Sequence, residues 1–413
     1  MKVAIMGFGV VGSGVAELFA KNHNKIVSSS TQPELELKYI LDIKDFPGSP
    51  FADMMIKDFN IILNDPEVGI VVETMGGLKP AYDYVSACLK AKKSVVTSNK
   101  ELVAEKGYEL LSLAKENGVN FLFEASVGGG IPIIRPISQC LAANEIDEIA
   151  GILNGTTNFI LTKMFKEGMS FGDALKLAQE NGYAESNPAA DIEGTDACRK
   201  ICILASLAFG KHVYPEEVYT EGITKITTED VDYAKNWGGV VKLIARAGRL
   251  ENGKIFALVS PAFVKSSSQL ASVDDVFNAI LVRGDATGDV VFYGRGAGKM
   301  PTASAVVADV IDCAKHAVSK KVFGWEDGIP NYVVDYTSLP VSLYVRVSAV
   351  GNTSEIKKEL KSKIPGINYL VRSASPANEF AFVTPEMPEN EIREKLTEIN
   401  GISIINTIRI TDY

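Results

Sequence analysis

The chain has 413 residues, a length that predicts two or three domains rather than one. Hydrophobic residues make up 46% and charged residues 23%, which are globular proportions and exclude disordered and fibrous proteins. The net charge of −9, with no long run of lysine or arginine, argues against nucleic acids and anionic membranes as partners.

Three further features predict a cytoplasmic protein. Glycines interrupt the N-terminal segment MKVAIMGFGVVGSG, so a signal peptide is not expected. No apolar run approaches the roughly 20 residues that cross a bilayer. The five cysteines are odd in number and scattered, which is typical of a reducing compartment.

The first predicted element is a short apolar strand, KVAIM, at residues 2–6. A G-x-G-x-x-G turn follows it directly, and apolar residues then recur at helical spacing. In this order the glycines allow a tight turn, a close backbone approach to a pyrophosphate and close helix packing. A purely structural turn is the alternative. The pattern favours a dinucleotide site with the cofactor-binding residues Gly7, Phe8, Gly9, Val10, Val11 and Gly12.

Strands and helices continue to alternate after this turn. Strands are predicted at 35–43, 68–74, 94–97 and 119–123, with helices at 81–91 and 102–116. The polar segment 22–33 is interpreted as an insertion before the second strand. The order predicts an α/β fold with a doubly wound parallel sheet of the Rossmann type.

The end of the second predicted strand bears on which dinucleotide is bound. Asp42 is placed to bind the ribose 2′-hydroxyl of NAD, although it follows Gly12 by 30 residues rather than about 20. Lys44 would instead meet the 2′-phosphate of NADP. The sequence favours NAD and leaves NADP open.

Lysine is the favoured residue for proton transfer, because none of the three histidines lies in a glycine-rich or acidic cluster. Lys100 follows Thr97-Ser98-Asn99 at the predicted carboxyl edge of the sheet, where doubly wound sheets bind ligands. The alternative is a solvated lysine after a helix cap formed by Ser98 or Asn99.

A second lysine ends the acidic stretch GYAESNPAADIEGTDACRK at residues 182–200. Asp196 and Lys200 are four residues apart and share one face of a predicted helix, where a surface ion pair is the alternative. The acids at this helix end would repel one another unless a cation joined them. We therefore expect them to hold a substrate ammonium while Lys200 faces the group that undergoes redox. The predicted substrate is a small amino acid that carries an alcohol or an aldehyde.

These stretches resemble the homoserine dehydrogenase family. The matching segments keep their order and are GFGVVGSGV (7–15), VVETMGG (71–77), TSNK (97–100), EASVGGGIP (124–132), GILNGTTNFIL (151–161), GYAESNPAADIEGTDACRK (182–200), EGITKIT (221–227) and NAILVRGDATGDVVFYGRGAGKMPTASAVVAD (278–309). The resemblance implies an NAD(P)-dependent oxidoreductase that interconverts L-homoserine and L-aspartate 4-semialdehyde, on the path to threonine and methionine.

The resemblance also implies roles for individual residues. Lys200 acts in proton transfer, Asp196 orients the site, Glu185 and Asp191 hold the substrate, and Lys100 lies near cofactor and substrate. Further cofactor contacts are implied at Thr74, Met75, Ser98 and Gly298. A sodium-type monovalent ion is implied at Glu124, Val127, Gly129 and Ile131, a stretch that otherwise reads as a hinge. The chain departs from the family pattern at Ser98, where alanine is usual, and at Ser186-Asn187, where Pro-Asp is usual.

The expected domains are a nucleotide-binding domain at 1–132 with a helix at 302–320, and an α+β catalytic and dimerisation domain at 133–300. A linker at 321–339 then leads to a βαββαβ segment at 340–413 that resembles an ACT domain. The resemblance implies threonine as a possible effector there, and a homodimer or homotetramer. Two alternatives stay open: a non-catalytic nucleotide-sensing regulator, and another amino-acid semialdehyde dehydrogenase, whose phosphorylating form needs a nucleophilic cysteine.

Overall fold

The computed structural model describes residues 1–373 and 375–413. Its strands are β1 (Lys2–Met6), β2 (Glu36–Leu41), β3 (Met55–Ile56), β4 (Val68–Glu73), β5 (Ser94–Thr97), β6 (Phe121–Leu122), β7 (Ile146–Ile152), β8 (Tyr219–Thr220), β9 (Gly239–Arg249), β10 (Ile255–Lys265), β11 (Phe277–Gly284), β12 (Gly288–Arg295), β13 (Pro340–Ala349), β14 (Asn368–Leu370), β15 (Glu379–Val383), β16 (Met387–Pro388) and β17 (Ile402–Thr411). Its α-helices are α1 (Val10–Lys21), α2 (His23–Ser30), α3 (Phe59–Asn64), α4 (Ala81–Lys90), α5 (Lys100–Asn117), α6 (Gly155–Glu167), α7 (Phe171–Glu180), α8 (Ala189–Ile192), α9 (Thr195–Phe209), α10 (Thr228–Trp237), α11 (Lys299–Lys315), α12 (Thr353–Lys363) and α13 (Glu389–Thr397).

The chain divides into two compact units. The first unit comprises Met1–Glu145, Cys202–Pro215 and Phe292–Ile329, and the second comprises Ile146–Ile201, Glu216–Val291 and Pro330–Tyr413. Within the described residues, no helix is both long enough and apolar enough to span a membrane.

The first unit is built on a parallel sheet with the strand order β3-β2-β1-β4-β5-β6. Strands β1 and β4 are almost wholly buried, as expected for central strands covered on both faces. The strand order reverses between β1 and β4, so their carboxyl ends form the switch point where such sheets bind ligands. The predicted Rossmann fold is confirmed.

The polar segment 22–33, which the sequence analysis interprets as an insertion before the second strand, contains a helix. Residues His23–Ser30 form α2, in which Ile26 is 3% exposed and packs into the core of the first unit. Two adjacent apolar residues, Ile26 and Val27, in a polar run give almost no helical periodicity, so the sequence pattern does not reveal this helix.

Helix α11 also differs from the predicted span of 302–320, because it runs from Lys299 to Lys315. Pro301 falls in its first turn, where the missing N–H has no intrahelical partner to lose. The helix ends where His316 leaves helical geometry and donates its backbone N–H to the Asp312 carbonyl. Helix α11 packs against α1, and Lys299 Nζ lies 2.6 Å from Glu17 Oε1.

The second unit is built on a mixed sheet whose main path is β12-β11-β7-β9-β10-β17-β13-β15-β14 in the described residues. Strands β9 and β10 form a long antiparallel hairpin, and β17 joins β10 in parallel. The strands after residue 340 therefore continue the sheet that begins with β7 and β9. The predicted βαββαβ order is present in this region with one additional two-residue strand, β16, before α13. The ACT-like assignment and the domain boundaries stay predictions.

Candidate active site

The glycine-rich turn after β1 has the geometry that a dinucleotide requires. Gly7 has φ +97°, and a Cβ on Gly12 would overlap the Gly7 carbonyl oxygen, so neither position accepts a side chain. A Cβ on Gly9 would meet no atom within 4 Å, which leaves that face of the turn open. Helix α1 starts after Gly9 without a side-chain cap and without an acid in its first turn. Its N-terminal N–H groups therefore fit a pyrophosphate.

Asp42 lies directly after β2 and joins that strand end to the glycine-rich turn. Its Oδ2 accepts a hydrogen bond from Phe8 N at 2.6 Å, and its Oδ1 accepts one from Lys44 N at 2.9 Å. The carboxylate is half-buried, whereas Lys44 is exposed. The structure thus places both residues that the sequence weighed for cofactor choice at the same strand end.

Glu73 at the end of β4 organises two loops that carry predicted cofactor residues, and sequence reasoning missed it. Its carboxylate accepts hydrogen bonds from Met75 N (2.8 Å), Gly76 N (3.3 Å) and Thr97 Oγ1 (2.5 Å). Burial raises the pKa of Glu73, and these hydrogen bonds oppose that shift. An acid at the last buried position of a central strand was the signal that could have identified it.

The loop after β5 is tied to the same place. Asn99 is the N-cap of α5, since its Oδ1 accepts from Leu102 N at 3.0 Å, and its Nδ2 donates to Gly77 O at 2.7 Å. Lys100 is the first residue of α5 and is half-buried. The Thr74–Gly77 and Thr97–Lys100 loops are therefore held together at the carboxyl edge of the sheet. Thr74 Oγ1 donates to Gly7 O at 2.9 Å, and this hydrogen bond connects the glycine-rich turn to the same two loops.

In the second unit, a buried polar group forms where β7 ends and α9 begins. Lys200 Nζ donates to Asp196 Oδ2 at 2.8 Å and to Leu153 O at 2.7 Å. Asn154 Nδ2 donates to Asp196 Oδ2 at 2.9 Å and to Asp191 Oδ1 at 2.7 Å. Asp196 and Lys200 are each 6% exposed, so the alternative of a surface ion pair is wrong. This lysine and these two carboxylates are brought together as predicted.

Asn154 is the residue of this group that sequence reasoning undervalued. Its Oδ1 caps α6 by accepting from Thr157 N at 2.8 Å, while its Nδ2 joins both acids. The signal was the NGTTN stretch directly after a buried strand. Burial raises the pKa of Asp191, and the hydrogen bond from Asn154 opposes the shift.

Glu185 lies in the exposed loop before α8 rather than in the buried group. Its side chain is exposed, and its carbonyl oxygen accepts from Gln179 Nε2 at 3.1 Å. Thr156 Oγ1 donates to Tyr183 O at 2.7 Å and so anchors this loop to the start of α6.

Glu124 is 2% exposed and caps the segment that follows the glycine-rich stretch 128–130. Its carboxylate accepts from the backbone N–H groups of Ile133 (2.6 Å), Ile134 (2.8 Å) and Arg135 (3.0 Å). These donors already compensate the charge, so a cation is not needed to neutralise it. No group of three or more His, Cys, Asp or Glu side chains in the described residues could hold a metal ion. That finding does not test the predicted cation site, which relies mainly on backbone carbonyls.

The cysteines do not have the character of nucleophiles. Burial raises the pKa of Cys88 to about 12, and it raises the pKa of Cys313 as well. Cys198 and Cys202 are buried, whereas Cys140 is exposed at the end of a short helical segment. A thiolate at one of the buried positions is therefore disfavoured.

A Rossmann unit with an open glycine-rich turn, in a chain that also buries a lysine–carboxylate group, defines a dinucleotide-dependent oxidoreductase. Comparison with known proteins gives the family. The model described as "Homoserine dehydrogenase, NAD binding domain" matches residues 7–124, and the model described as "Homoserine dehydrogenase" matches residues 132–311. The chain belongs to the homoserine dehydrogenase family.

Individual relatives agree with this membership. The homoserine dehydrogenase of Bacillus subtilis is 36% identical and covers 100% of this chain and 97% of its own length. That of Synechocystis is 44% identical over 76% of this chain and 73% of its own length. The crystal structure of the Thiobacillus denitrificans enzyme superposes with a TM-score of 0.90 at 34% identity, covering 100% of this chain and 98% of that chain.

We expect Glu73→Ala to weaken nicotinamide-dinucleotide binding about tenfold, because the amides of Met75 and Gly76 and the Thr97 hydroxyl lose their acceptor, at about 1–3 kcal/mol for each group left unsatisfied. Fluorescence titration of the cofactor measures the change. Glu73→Gln is the control, since its amide can accept from both N–H groups and donate to Thr97. Unchanged affinity in Glu73→Ala would show that the loops keep their positions without it.

Proposed function

We propose that the chain oxidises L-homoserine to L-aspartate 4-semialdehyde, and catalyses the reverse reduction, with a nicotinamide dinucleotide. Membership of the homoserine dehydrogenase family supports this reaction. The observation that supports assigning this reaction to particular residues is the buried polar group, which consists of Asn154, Asp191, Asp196 and Lys200. Two carboxylates suit the substrate ammonium, and one lysine suits the oxygen that changes oxidation state.

The proposed chemistry assigns one task to each side chain. A nicotinamide dinucleotide held at the glycine-rich turn after β1 would supply the hydride acceptor for oxidation and the hydride donor for reduction. During oxidation, neutral Lys200 Nζ accepts the proton of the substrate hydroxyl, and during reduction its ammonium returns that proton to the aldehyde oxygen. Asp196 Oδ2 at 2.8 Å stabilises the ammonium form, and Leu153 O at 2.7 Å orients Nζ. Asp191 and Glu185 are assigned to the substrate's polar groups, and Lys100 to the region near cofactor and substrate.

Lys200→Arg is expected to lower kcat by roughly 10²–10⁴-fold, because a guanidinium keeps the charge beside Asp196 but does not release a proton near neutral pH. Lys200→Ala should lose turnover and also destabilise the fold by about 3–5 kcal/mol, since it removes the lysine partner of a buried carboxylate. Nicotinamide absorbance with L-homoserine measures turnover, and fluorescence titration should show unchanged cofactor affinity.

The control for this pair is Lys163→Ala. Lys163 and Glu167 have the same i, i+4 spacing on α6, with Nζ 2.7 Å from Oε1, but Glu167 is exposed. Its kcat should match the wild type. Wild-type turnover in Lys200→Arg would contradict the proposed role of Lys200 in proton transfer. Absence of any homoserine-dependent absorbance change in the wild type, with either cofactor, would favour the nucleotide-sensing regulator.

We propose NAD as the preferred cofactor, because a carboxylate at Asp42 binds a ribose hydroxyl and repels a 2′-phosphate. A hyperthermophilic archaeal homoserine dehydrogenase solved in complex with NADPH superposes with a TM-score of 0.64 at 31% identity, covering 76% of this chain and 97% of that chain. NADP is therefore the second candidate.

Asp42→Asn is expected to lower the ratio of kcat/KM with NADH to kcat/KM with NADPH about tenfold, because the charge that repels the 2′-phosphate is gone. Initial rates with both cofactors measure the ratio. Asp45→Asn is the matched control, since Asp45 is exposed and pairs with Lys57 at 2.8 Å. An unchanged ratio in Asp42→Asn would show that Asp42 does not set the cofactor preference and serves only to bind the backbone amides of Phe8 and Lys44.

The KM for L-homoserine should rise as the pH falls through the raised pKa of Asp191, because protonation removes the charge that holds the ammonium. Asn154→Ala should move this rise to higher pH, since the hydrogen bond that opposes the shift is lost. The folded state takes up this proton at a higher pH than the unfolded state, so the group favours folding less as the pH rises through its folded pKa. KM measured against pH in the wild type, Asn154→Ala and Asp191→Asn checks the assignment, and a rise that persists in Asp191→Asn would reject it.

Three finer assignments rest on the family resemblance. We propose a sodium-type ion at Glu124, Val127, Gly129 and Ile131, threonine as an effector of the region 340–413, and a homodimer or homotetramer. In the turn before α12, Asn352 caps the helix by accepting from Ser354 N at 3.0 Å. Activity titrations with sodium and threonine, and sedimentation equilibrium, measure the three.

A further inference from the structure

Arg409 on β17 has its guanidinium buried between two acids from distant parts of the second unit. Nε donates to Glu389 Oε2 and Nη2 donates to Glu389 Oε1, both at 2.8 Å. Nη1 donates to Glu221 Oε2 at 3.2 Å. The Arg409 side chain is 7% exposed and that of Glu389 is 1% exposed. The planar fork of arginine suits this arrangement, in which Arg409 contacts both carboxylates at once and Arg393 also pairs with Glu389.

Aromatic rings enclose the same guanidinium. Its carbon lies 5.0 Å from the ring centroid of Tyr219 and 5.0 Å from that of Tyr336, and the Tyr219 hydroxyl donates to Glu221 Oε2 at 3.2 Å. Glu221 is therefore held from two sides. Without Arg409, Glu221 would lose the guanidinium that binds its Oε2, whereas Glu389 would keep its hydrogen bonds from Arg393. The Glu221 carboxylate would then be expected to move away from Glu389 toward water.

The segment that Glu221 opens lies directly against the end of α8, the short helix that carries Asp191. Ile223 N donates to Ile192 O at 2.8 Å. A Cβ on Gly222 would overlap the Ile192 carbonyl oxygen and lie 2.5 Å from Glu193 Cα, so only glycine permits this approach. Asp191 immediately precedes Ile192, and α9 with Asp196 and Lys200 begins at Thr195.

We propose that Arg409 is a positioning residue for the substrate pocket, acting through Glu221 and the segment 221–223 on the turn 191–194. Arg409 touches no reacting atom in this scheme. The inference rests on the proposed function, because its catalytic consequence is a weaker grip on the amino-acid substrate. Its structural consequence, a looser turn, does not depend on the identity of the substrate.

The test compares Arg409→Met with Arg393→Met. Arg393 donates to the same Glu389 Oε1, at 2.9 and 2.6 Å, but its side chain is 44% exposed and it makes no hydrogen bond to Glu221 among those of the described residues. We expect the KM for L-homoserine to rise about tenfold in Arg409→Met, with kcat changed by less than about threefold and cofactor affinity unchanged. Arg393→Met should keep the wild-type KM.

Hydrogen exchange followed by mass spectrometry measures how well the backbone amides of residues 188–194 are protected, and this measurement does not depend on catalysis. Exchange there should accelerate in Arg409→Met and remain as in the wild type in Arg393→Met. Glu221→Ala breaks the link from its other end and leaves the Arg409–Glu389 pair in place, so it serves if Arg409→Met does not fold. It should reproduce the KM and exchange effects, and the double variant should show no larger KM than the worse single variant.

Several outcomes would overturn the proposal. A lower Tm with wild-type KM and wild-type exchange at 188–194 would make Arg409 a stabilising residue only, and additive KM effects in the double variant would separate Arg409 from Glu221. If the wild type does not oxidise L-homoserine but the turn still loosens in Arg409→Met and Glu221→Ala, the proposed function fails and the positioning stands. If the wild type oxidises L-homoserine but exchange at 188–194 is unchanged in Arg409→Met and Glu221→Ala, the proposed function stands and the positioning role fails.

Discussion

The lysine–carboxylate group at Lys200 depends on a balance between desolvation and hydrogen bonding. An ammonium and a carboxylate that are each 6% exposed have lost most of their water, a loss that costs several kcal/mol per ion unless partners replace it. Leu153 O and the Asn154 amide are those partners. Because they come from the end of β7 while Asp196 and Lys200 come from the first turns of α9, the group exists only when strand and helix meet in one register. A requirement of the proposed catalysis is therefore also a requirement on the fold.

More distant segments of the second unit also position the residues of this group. The end of α8 must hold Asp191 within reach of Asn154. The close backbone approach of Gly222 and the hydrogen bond from Ile223 N to Ile192 O support this end of the helix. That segment is in turn held where β17 joins β10 in parallel. The strands after residue 340 therefore contribute to the surroundings of the candidate site.

The sequence was most informative where chemistry and periodicity coincide. The strand at 2–6, the glycine-rich turn, the strand at 94–97 and the pairing of Asp196 with Lys200 were all predictable, because each depends on neighbours within one or two turns. Helix α2 was not, since its single anchor, Ile26, gives no pattern. Glu73 and the Arg409–Glu221 contact were equally hidden. Their importance depends on partners 24 and 188 residues away, and only the tertiary fold brings those partners near.

Two helices of the first unit begin at a glycine that gives them no side-chain cap, unlike the helices that an asparagine or serine caps. In α5, α6 and α7 an asparagine or serine side chain accepts a hydrogen bond from an N-terminal amide. Helices α1 and α11 begin instead after Gly9 and Gly298, with neither a side-chain cap nor an acid in the first turn. Both glycines are predicted cofactor contacts. A helix start that offers unbonded amides and no competing carboxylate retains its positive potential for an external anion. The pyrophosphate of a dinucleotide is the anion that the turn after β1 is shaped to receive, so the absent caps are part of how this unit binds its cofactor.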